Sequence, residues 1–506
     1  MLRRNIAANA IGGSLSAIFA LALIPVQVRL LGVEAYGLLA FVASLQVLLS
    51  IFDLGLSPTM TREVSRDTSK GHEVSRMLIR SISLVYWPIG IAIGAVVFLA
   101  APWLASHWLH LGRLPAGTTT EALQLAAIAI ALRWPVSLYS GVVAGRQRFV
   151  ALNWLKAAMA AIGALGGIAV VVATHSLVDL LAWMVVAAGI ELAGYLGLVL
   201  RLNPGLLARQ LVTGALPAGV WRYAIGINLI NVLAMALTQS DRILISKLLS
   251  IQSLGYYALA YNILTGLALI PGFVTSALFP AFVVRHSGDS PSDLRDTYQT
   301  ATRGLMYAYN LPIWLLAVFG HDILKVLTSA STADRTAPLL TVLALGFVCN
   351  GAATLAYTAS IATGNTAIPI RVNTLALVVY LPLLTVLTLR LGGLGAAFAW
   401  LLLNLYYLPA LLPPVHKLMG VRTLRWITGS FLPFVGAGFL CFGAGRLLLM
   451  LLGSASGGAT ILAGGLSVLA YLCVGLIAVG TVVRQLIFRS VDEVRLAVST
   501  GLSRRS

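Results

Sequence analysis

The chain is 506 residues long, 59% hydrophobic and 10% charged, with 34 Lys and Arg against 16 Asp and Glu, a formal net charge of +18 and a mean hydropathy of +0.93. A soluble fold of that length needs far more polar surface, so the composition excludes a soluble enzyme and points to an integral membrane protein. The basic excess does not indicate a nucleic-acid partner, because the cations fall singly between apolar runs instead of gathering on a patch with base-reading neighbours.

Apolar runs long enough to cross a bilayer, about fourteen in all, centre near residues 20, 45, 90, 132, 162, 188, 234, 268, 312, 350, 378, 403, 437 and 470. The opening MLRRN and the apolar residues after it read as span one and not as a signal peptide. The apolar stretch outruns the usual signal core, and no convincing cleavage site follows. Every second loop carries the Lys and Arg: Arg62 to Arg80, then Arg146 and Arg148, Arg201 to Arg222, Arg285 to Arg303, Arg371, Lys417 to Arg425, and a tail with Arg484, Arg489, Arg495, Arg504 and Arg505. Together with Arg3 and Arg4 this places about 24 of the 34 cations on one side, which predicts that both termini of this multi-pass protein are cytoplasmic.

An internal repeat comes next. Residues 29 to 37 read RLLGVEAYG and residues 247 to 255 read KLLSIQSLG, so one offset carries Arg29 onto Lys247, Leu30 and Leu31 onto Leu248 and Leu249, and Gly37 onto Gly255. That offset takes span one to span seven, across an even number of helices, so the halves share one orientation about a pseudo-twofold axis along the membrane normal. The expected fold is all-α: two pseudo-symmetric six-helix lobes plus two C-terminal helices. By residue, the lobes are 1–200 and 219–415, joined by a cytoplasmic linker at 201–218 and followed by two further transmembrane helices at 416–484 and a tail at 485–506.

The stretches NIAANAIGG, IPVQVRLLGVEAYG and FDLGLSPTMTREVSR in the first 66 residues, with SDRILISKLLSIQSLGYYALAYN in the second half, resemble the Wzx-type polysaccharide transporters. These are the O-antigen and exopolysaccharide flippases of the multidrug/oligosaccharidyl-lipid/polysaccharide superfamily. The matching residues are Asn9, Gly32, Gly37, Asp53, Gly55 and Arg62, then Asp241, Arg242, Gly255 and Tyr256. The resemblance implies alternating-access movement of a polyprenyl-pyrophosphate-linked oligosaccharide for cell-surface polysaccharide biosynthesis. It also implies lipid and the lipid-linked substrate as partners, along with a polysaccharide polymerase and other assembly proteins.

Charges at bilayer depth cost about 2.5–3.5 kcal/mol and normally face a partner or a wet cavity. In this chain they are Arg29, Arg133, Lys156, Arg242 and Lys247 against Asp53, Glu191 and Asp241. The cationic excess suits an anionic substrate, since Arg grips phosphate oxygens bidentately. Arg29, Arg133, Arg242 and Lys247 are therefore the candidate substrate-binding cations. Arg29, Lys156 and Lys247 have the plainer alternative of snorkelling to headgroups, and Arg133 that of an ion pair with Glu191. Asn228, Asn231, Met235, Thr238 and Arg242 follow helical spacing along span seven, with Asn9 on the matching face of span one; Asn9, Asn228, Asn231 and Thr238 form the candidate polar wall. Asp53, Glu191 and Asp241 are left for charge balance or for coupling to an ion. Pro25, Pro135, Pro271 and Pro382 are candidate kinks.

Enzyme chemistry finds no support: GxxxxGK[ST], HExxH and GxSxG motifs do not occur. His107 and His110 lack a third ligand, and Cys349, Cys441 and Cys473 lack paired spacing, so neither metal nor cofactor is expected. The rival transporter reading is a multidrug or cation antiporter of the same superfamily, which calls for a cavity lined with acids.

Overall fold

The structure, a computed structural model, describes residues 2–67, 73–206, 218–286, 291–453 and 457–475, with backbone alone over 2–18, 20, 218–231, 285–286 and 291–293. The expected tail and residues 207–217 of the interlobe linker lie outside the described residues. The helices are α1 (Leu2–Leu49), α2 (Leu56–Arg66), α3 (Glu73–Trp103), α4 (Ala116–Gly145), α5 (Phe149–Thr174), α6 (Leu177–Leu202), α7 (Ala218–Leu248), α8 (Ile251–Leu267), α9 (Leu269–His286), α10 (Pro291–Leu327), α11 (Ala330–Ala362), α12 (Ala367–Leu391), α13 (Gly393–Leu418), α14 (Thr423–Trp426), α15 (Leu432–Leu451) and α16 (Gly457–Gly475). Among the described residues no named strand occurs, and twelve stretches are long and apolar enough to cross a membrane.

The spans read from sequence fall on these helices, and the differences lie where helices break. The first two spans share α1, which is interrupted at Gly32 with φ 86° and ψ 163°, a backbone that only glycine adopts easily. The eighth span is divided at Ala268 into α8 and α9. There the ring of Pro271 opposes the carbonyl of Leu267 four residues earlier and removes one helical hydrogen bond. Pro25 lies within α1 without ending it.

The six-span repeat is visible in the turns. The α4–α5 turn has a positive φ at Gln147 (55°) and the α11–α12 turn at Gly364 (78°); the α5–α6 turn has one at His175 (52°) and the α12–α13 turn at Gly392 (62°). The offset that aligns the two sequence motifs carries each of these turns onto the residue next to its counterpart.

One compact unit comprises residues 1–266, 327–332 and 373–396. Its central helix, α4, buries Ala122, Leu123, Ala126, Ile130, Leu138 and Val142, and packs against α3, α6 and α2. Small residues make the α2 contact possible. A Cβ on Gly141 would lie 2.7 Å from the Ser57 carbonyl oxygen, one on Gly145 would lie 2.8 Å from that of Thr61, and Thr61 Oγ1 donates to the Gly141 carbonyl at 3.1 Å. Beyond Gly32, the Glu34 carboxylate accepts the backbone N–H of Gly112 at 2.6 Å, of Arg113 at 2.8 Å and of Leu114 at 3.3 Å, which fixes the loop after α3.

The two repeated motifs meet in this unit. A Cβ on Gly37 would lie 2.1 Å from the Ile251 carbonyl oxygen, and one on Gly255 would lie 2.2 Å from that of Val33. Because Val33 aligns with Ile251 and Gly37 with Gly255, each motif presents the same glycine to the same position of its mate, the self-complementary contact that a twofold axis produces.

The second unit comprises residues 267–326, 333–372 and 397–506. In it α11 and α13 are joined by Asn350 donating to Asn404 at 2.9 Å and by Trp400 lying on Gly346. The last helices pack on α10: Trp314 covers Gly438, Arg446 pairs with Asp322 at 2.8 Å, and the Tyr307 and Tyr471 rings stack with centroids 5.7 Å apart. His416 is fully buried between the hydroxyls of Tyr298 and Thr423, each 3.0 Å away.

Candidate substrate cavity

The cavity in the first unit is built around a helix break. The chain leaves α1 through a short 3-10 turn, Ser50–Asp53, passes through left-handed backbone at Leu54 (φ 50°) and Gly55 (φ 75°), and re-enters helix as α2. Asp53 caps that second start. Its carboxylate accepts the Ser57 hydroxyl at 2.8 Å and the Ser57 N–H at 3.4 Å. The Tyr86 hydroxyl of α3 also donates to Asp53 and lies 2.8 Å from Ser137 Oγ of α4. One acid thus ties together the end of α1 and the helices α2, α3 and α4.

Arg133 stands one turn before Ser137 on the same face of α4, and both border a cavity of about 490 Å³. Gln46, Asp53, Ser57 and Tyr86 form one wall with them, while Ala234, Met235 and Thr238 of α7 face them from the other. Trp134 packs on Tyr86 with ring centroids 5.5 Å apart, in room provided by Gly90, where a Cβ would come within 2.8 Å of the indole. Arg133 Nε lies 3.5 Å from a Glu191 carboxylate oxygen of α6 and makes no hydrogen bond. The ion pair expected as the plain alternative is therefore present, but it is a loose one. A good Arg–carboxylate pair closes at about 2.7–2.9 Å through two parallel bonds.

The other candidate cations are placed elsewhere. Arg242, one turn beyond Thr238, is 8% exposed and is not among the cavity-lining residues. Its guanidinium carbon lies 4.4 Å above the centre of the Tyr261 ring, and it donates to Asn262 at 3.0 Å, which in turn donates to the Tyr36 hydroxyl at 2.8 Å. Asp241 is fully buried and accepts the Tyr257 hydroxyl at 2.5 Å and the Arg242 N–H at 2.8 Å. This network fastens α7 and α8 to α1, and its carriers, Tyr257, Tyr261 and Asn262, lie in the YYALAYN stretch.

Arg29 and Lys247, mates in the repeat, perform matching tasks. Arg29 Nε donates to the Thr328 carbonyl at 3.2 Å, just after α10, and Lys247 Nζ donates to the His107 carbonyl at 3.1 Å, in the turn that closes α3. Each cation sits at a helix C-terminus, where carbonyls lack intrahelical partners and the helix dipole favours positive charge. Lys247 also lies 5.1 Å from the Trp108 ring centre. Lys156 is exposed on α5.

The structure thus brings Asp53, Arg133 and Thr238 to one cavity, with Glu191 directly behind Arg133, and takes Arg29, Arg242, Lys247 and Asp241 into other contacts. Thr238 uses its hydroxyl on its own helix, donating to the Ala234 carbonyl at 2.9 Å. The side chains of Asn9, Asn228 and Asn231 lie outside the described residues. Sequence reasoning missed Gln46, Ser57, Tyr86 and Ser137. The signal available for Ser137 was its position one turn after Arg133. Among the described residues no group of His, Cys, Asp and Glu is arranged to hold a metal ion.

Four likenesses accompany this geometry. The family model "Polysaccharide biosynthesis protein" matches residues 2–285. A relative from Shigella flexneri, named "Putative O-antigen transporter", is 22% identical over 405 residues, covering 78% of this chain and 93% of the relative. Among solved structures, a lipid II flippase MurJ in an inward closed conformation superposes with a TM-score of 0.70 at 12% identity, over 94% of this chain and 99% of that one. An inward-facing multidrug resistance MATE transporter of the MOP superfamily superposes with a TM-score of 0.64 at 11% identity, over 80% and 94%.

Proposed function

The chain belongs to the polysaccharide biosynthesis protein family, with the fold of the MOP transporter superfamily, and on that footing we propose that it moves a polyprenyl-pyrophosphate-linked oligosaccharide across the bacterial inner membrane by alternating access. The observation that carries the reading is Arg133: a guanidinium in a membrane-spanning helix, bordering a cavity walled by Gln46, Ser57, Ser137 and Tyr86, with no hydrogen bond at Nε. An intramembrane cation in that setting is suited to an anionic group, and the pyrophosphate supplies one.

The polar wall answers the second requirement. A sugar hydroxyl taken through hydrocarbon without a partner costs about 2–7 kcal/mol, so the glycan needs hydrated, hydrogen-bonding surroundings while the polyprenyl tail stays in lipid. In this reading the lobes at 1–200 and 219–415 move against each other, with both termini in the cytoplasm. An assembly protein such as the polymerase would receive the glycan on the outer face.

A second reading, antiport of organic cations, has one observation in its favour, the acid Asp53 in the same cavity. Its carboxylate is already engaged by Tyr86 and Ser57, which favours the anionic substrate. The deciding experiment uses spheroplasts depleted of this protein, with labelled lipid-linked oligosaccharide and an impermeant sugar-binding probe. Retention of the label in the shielded inner leaflet supports flipping. Normal outer-leaflet exposure, with a new sensitivity to cationic drugs, supports antiport.

A further inference from the structure

The pair between Arg133 and Glu191 is divided by the cavity wall. Arg133, on α4, borders the cavity, whereas Glu191, on α6, is not among its lining residues and approaches Arg133 from behind at 3.5 Å through Nε. Their side chains are 26% and 25% exposed. A strong structural pair would be closed and hydrogen-bonded; this one holds the arginine without satisfying it.

Among the described residues, the rest of Glu191's surroundings gives it no alternative cation. The titratable groups facing it are Arg133 from α4 and Tyr195 one turn further along α6. The other helix packed on α6 is α5, whose single titratable side chain, Lys156, is exposed.

We infer that Glu191 is an internal stand-in for the substrate's anion: it holds Arg133 while the cavity is empty and gives it up when an anionic headgroup arrives. This rests on the anionic-substrate reading above and adds the device that keeps binding reversible. An arginine free of any counter-charge inside a membrane would grip a pyrophosphate too firmly to release it. With Glu191 behind it, arrival of the anion exchanges one partner for another, and departure restores the first. While the anion is bound, Glu191 is a carboxylate at bilayer depth without its cation and takes up a proton; on release it returns that proton and recovers Arg133. Glu191 is in this sense a positioning residue that sets affinity through Arg133.

The test is calorimetric binding of inorganic pyrophosphate to the purified full-length protein in nanodiscs. At pH 7.5, Glu191→Gln binds about fivefold more tightly than the unaltered protein, the range of a partly exposed charge pair. Glu191→Asp, with its charge drawn back by one methylene, falls between the two and serves alone if the Gln variant does not fold. The ratio between variant and parent narrows as the pH is lowered, because the parent's carboxylate neutralises; the titration of pyrophosphate itself is common to both. Binding that vanishes in Arg133→Gln but is unchanged or weakened in both Glu191 variants overturns the stand-in role alone. No pyrophosphate binding by any of the four proteins overturns the anionic-headgroup reading, and the stand-in role falls with it.

Discussion

Gly37 and Gly255 each rest on a backbone carbonyl of the other's motif: a Cβ on Gly37 would lie 2.1 Å from the Ile251 oxygen, and one on Gly255 would lie 2.2 Å from the Val33 oxygen. Backbone cannot step aside as a flexible side chain can. Gly37→Ala and Gly255→Ala should each destabilise the protein by about 1–3 kcal/mol through overpacking. Thermal unfolding of each variant in detergent measures this. The two costs should be similar, since the positions are equivalent, and a loss confined to one of them would argue against the twofold contact.

Arg133→Gln should abolish export at normal protein abundance, because this side chain borders the cavity and its pair with Glu191 is loose. Arg133→Lys should retain part of the activity, keeping the charge but losing the fork. Surface polysaccharide in cells, read beside a membrane immunoblot, distinguishes transport loss from protein loss. Full export in Arg133→Gln would remove the residue from the substrate path.

Arg242→Ala has a different expected outcome. Truncation leaves Asp241 buried without its neighbouring charge and Asn262 without its donor. Breaking a buried charged network costs about 3–5 kcal/mol, so the immunoblot signal should fall with export. Normal abundance with no export would instead place Arg242 in the substrate path.

Arg29→Met and Lys247→Met should leave export largely intact. Each removes a cation from a helix C-terminus, an interaction of about 0.3–1 kcal/mol, and neither side chain lines the cavity. A collapse of export in either variant, with abundance unchanged, would show that these cations meet substrate in another conformation.

Tyr86→Phe should lower the thermal midpoint, since the Asp53 carboxylate loses one of its donors and hydrogen bonds to charged groups are worth about 1.5–3 kcal/mol. Ser137→Ala should cost less, because its link to Asp53 runs through Tyr86.

Spans and repeat were legible in the sequence because both are written in local patterns: apolar length, loop charge, and the RLLG and KLLS motifs with their trailing glycines. The helix breaks were less so. In the sequence Gly32 stands out as a motif residue, but only its φ of 86° shows that it ends one span. The charges were legible as charges and not as contacts. Helical spacing put Thr238 and Arg242 on one face of α7, yet a single turn separates a cavity wall from a buried seam, and what decides between them is Tyr261 and Asn262 on the next helix. Likewise, nothing near Arg29 announces the Thr328 carbonyl, which lies far along the chain.

The twofold contact also marks where the halves have ceased to be copies. Glu34, which gathers the amides of residues 112 to 114, aligns with Gln252, whose side chain bonds to Tyr256 on its own helix. Asp241 and Arg242 align with Leu23 and Ile24, which carry no charge at all. Two first halves brought together would cross at their glycines but lack the polar seam, and two second halves would leave the loop after the third span unanchored. The halves are therefore no longer interchangeable: Glu34 anchors a loop of its own half, while Asn262 of the second half donates to Tyr36 of the first, a position that the second half fills with Leu254.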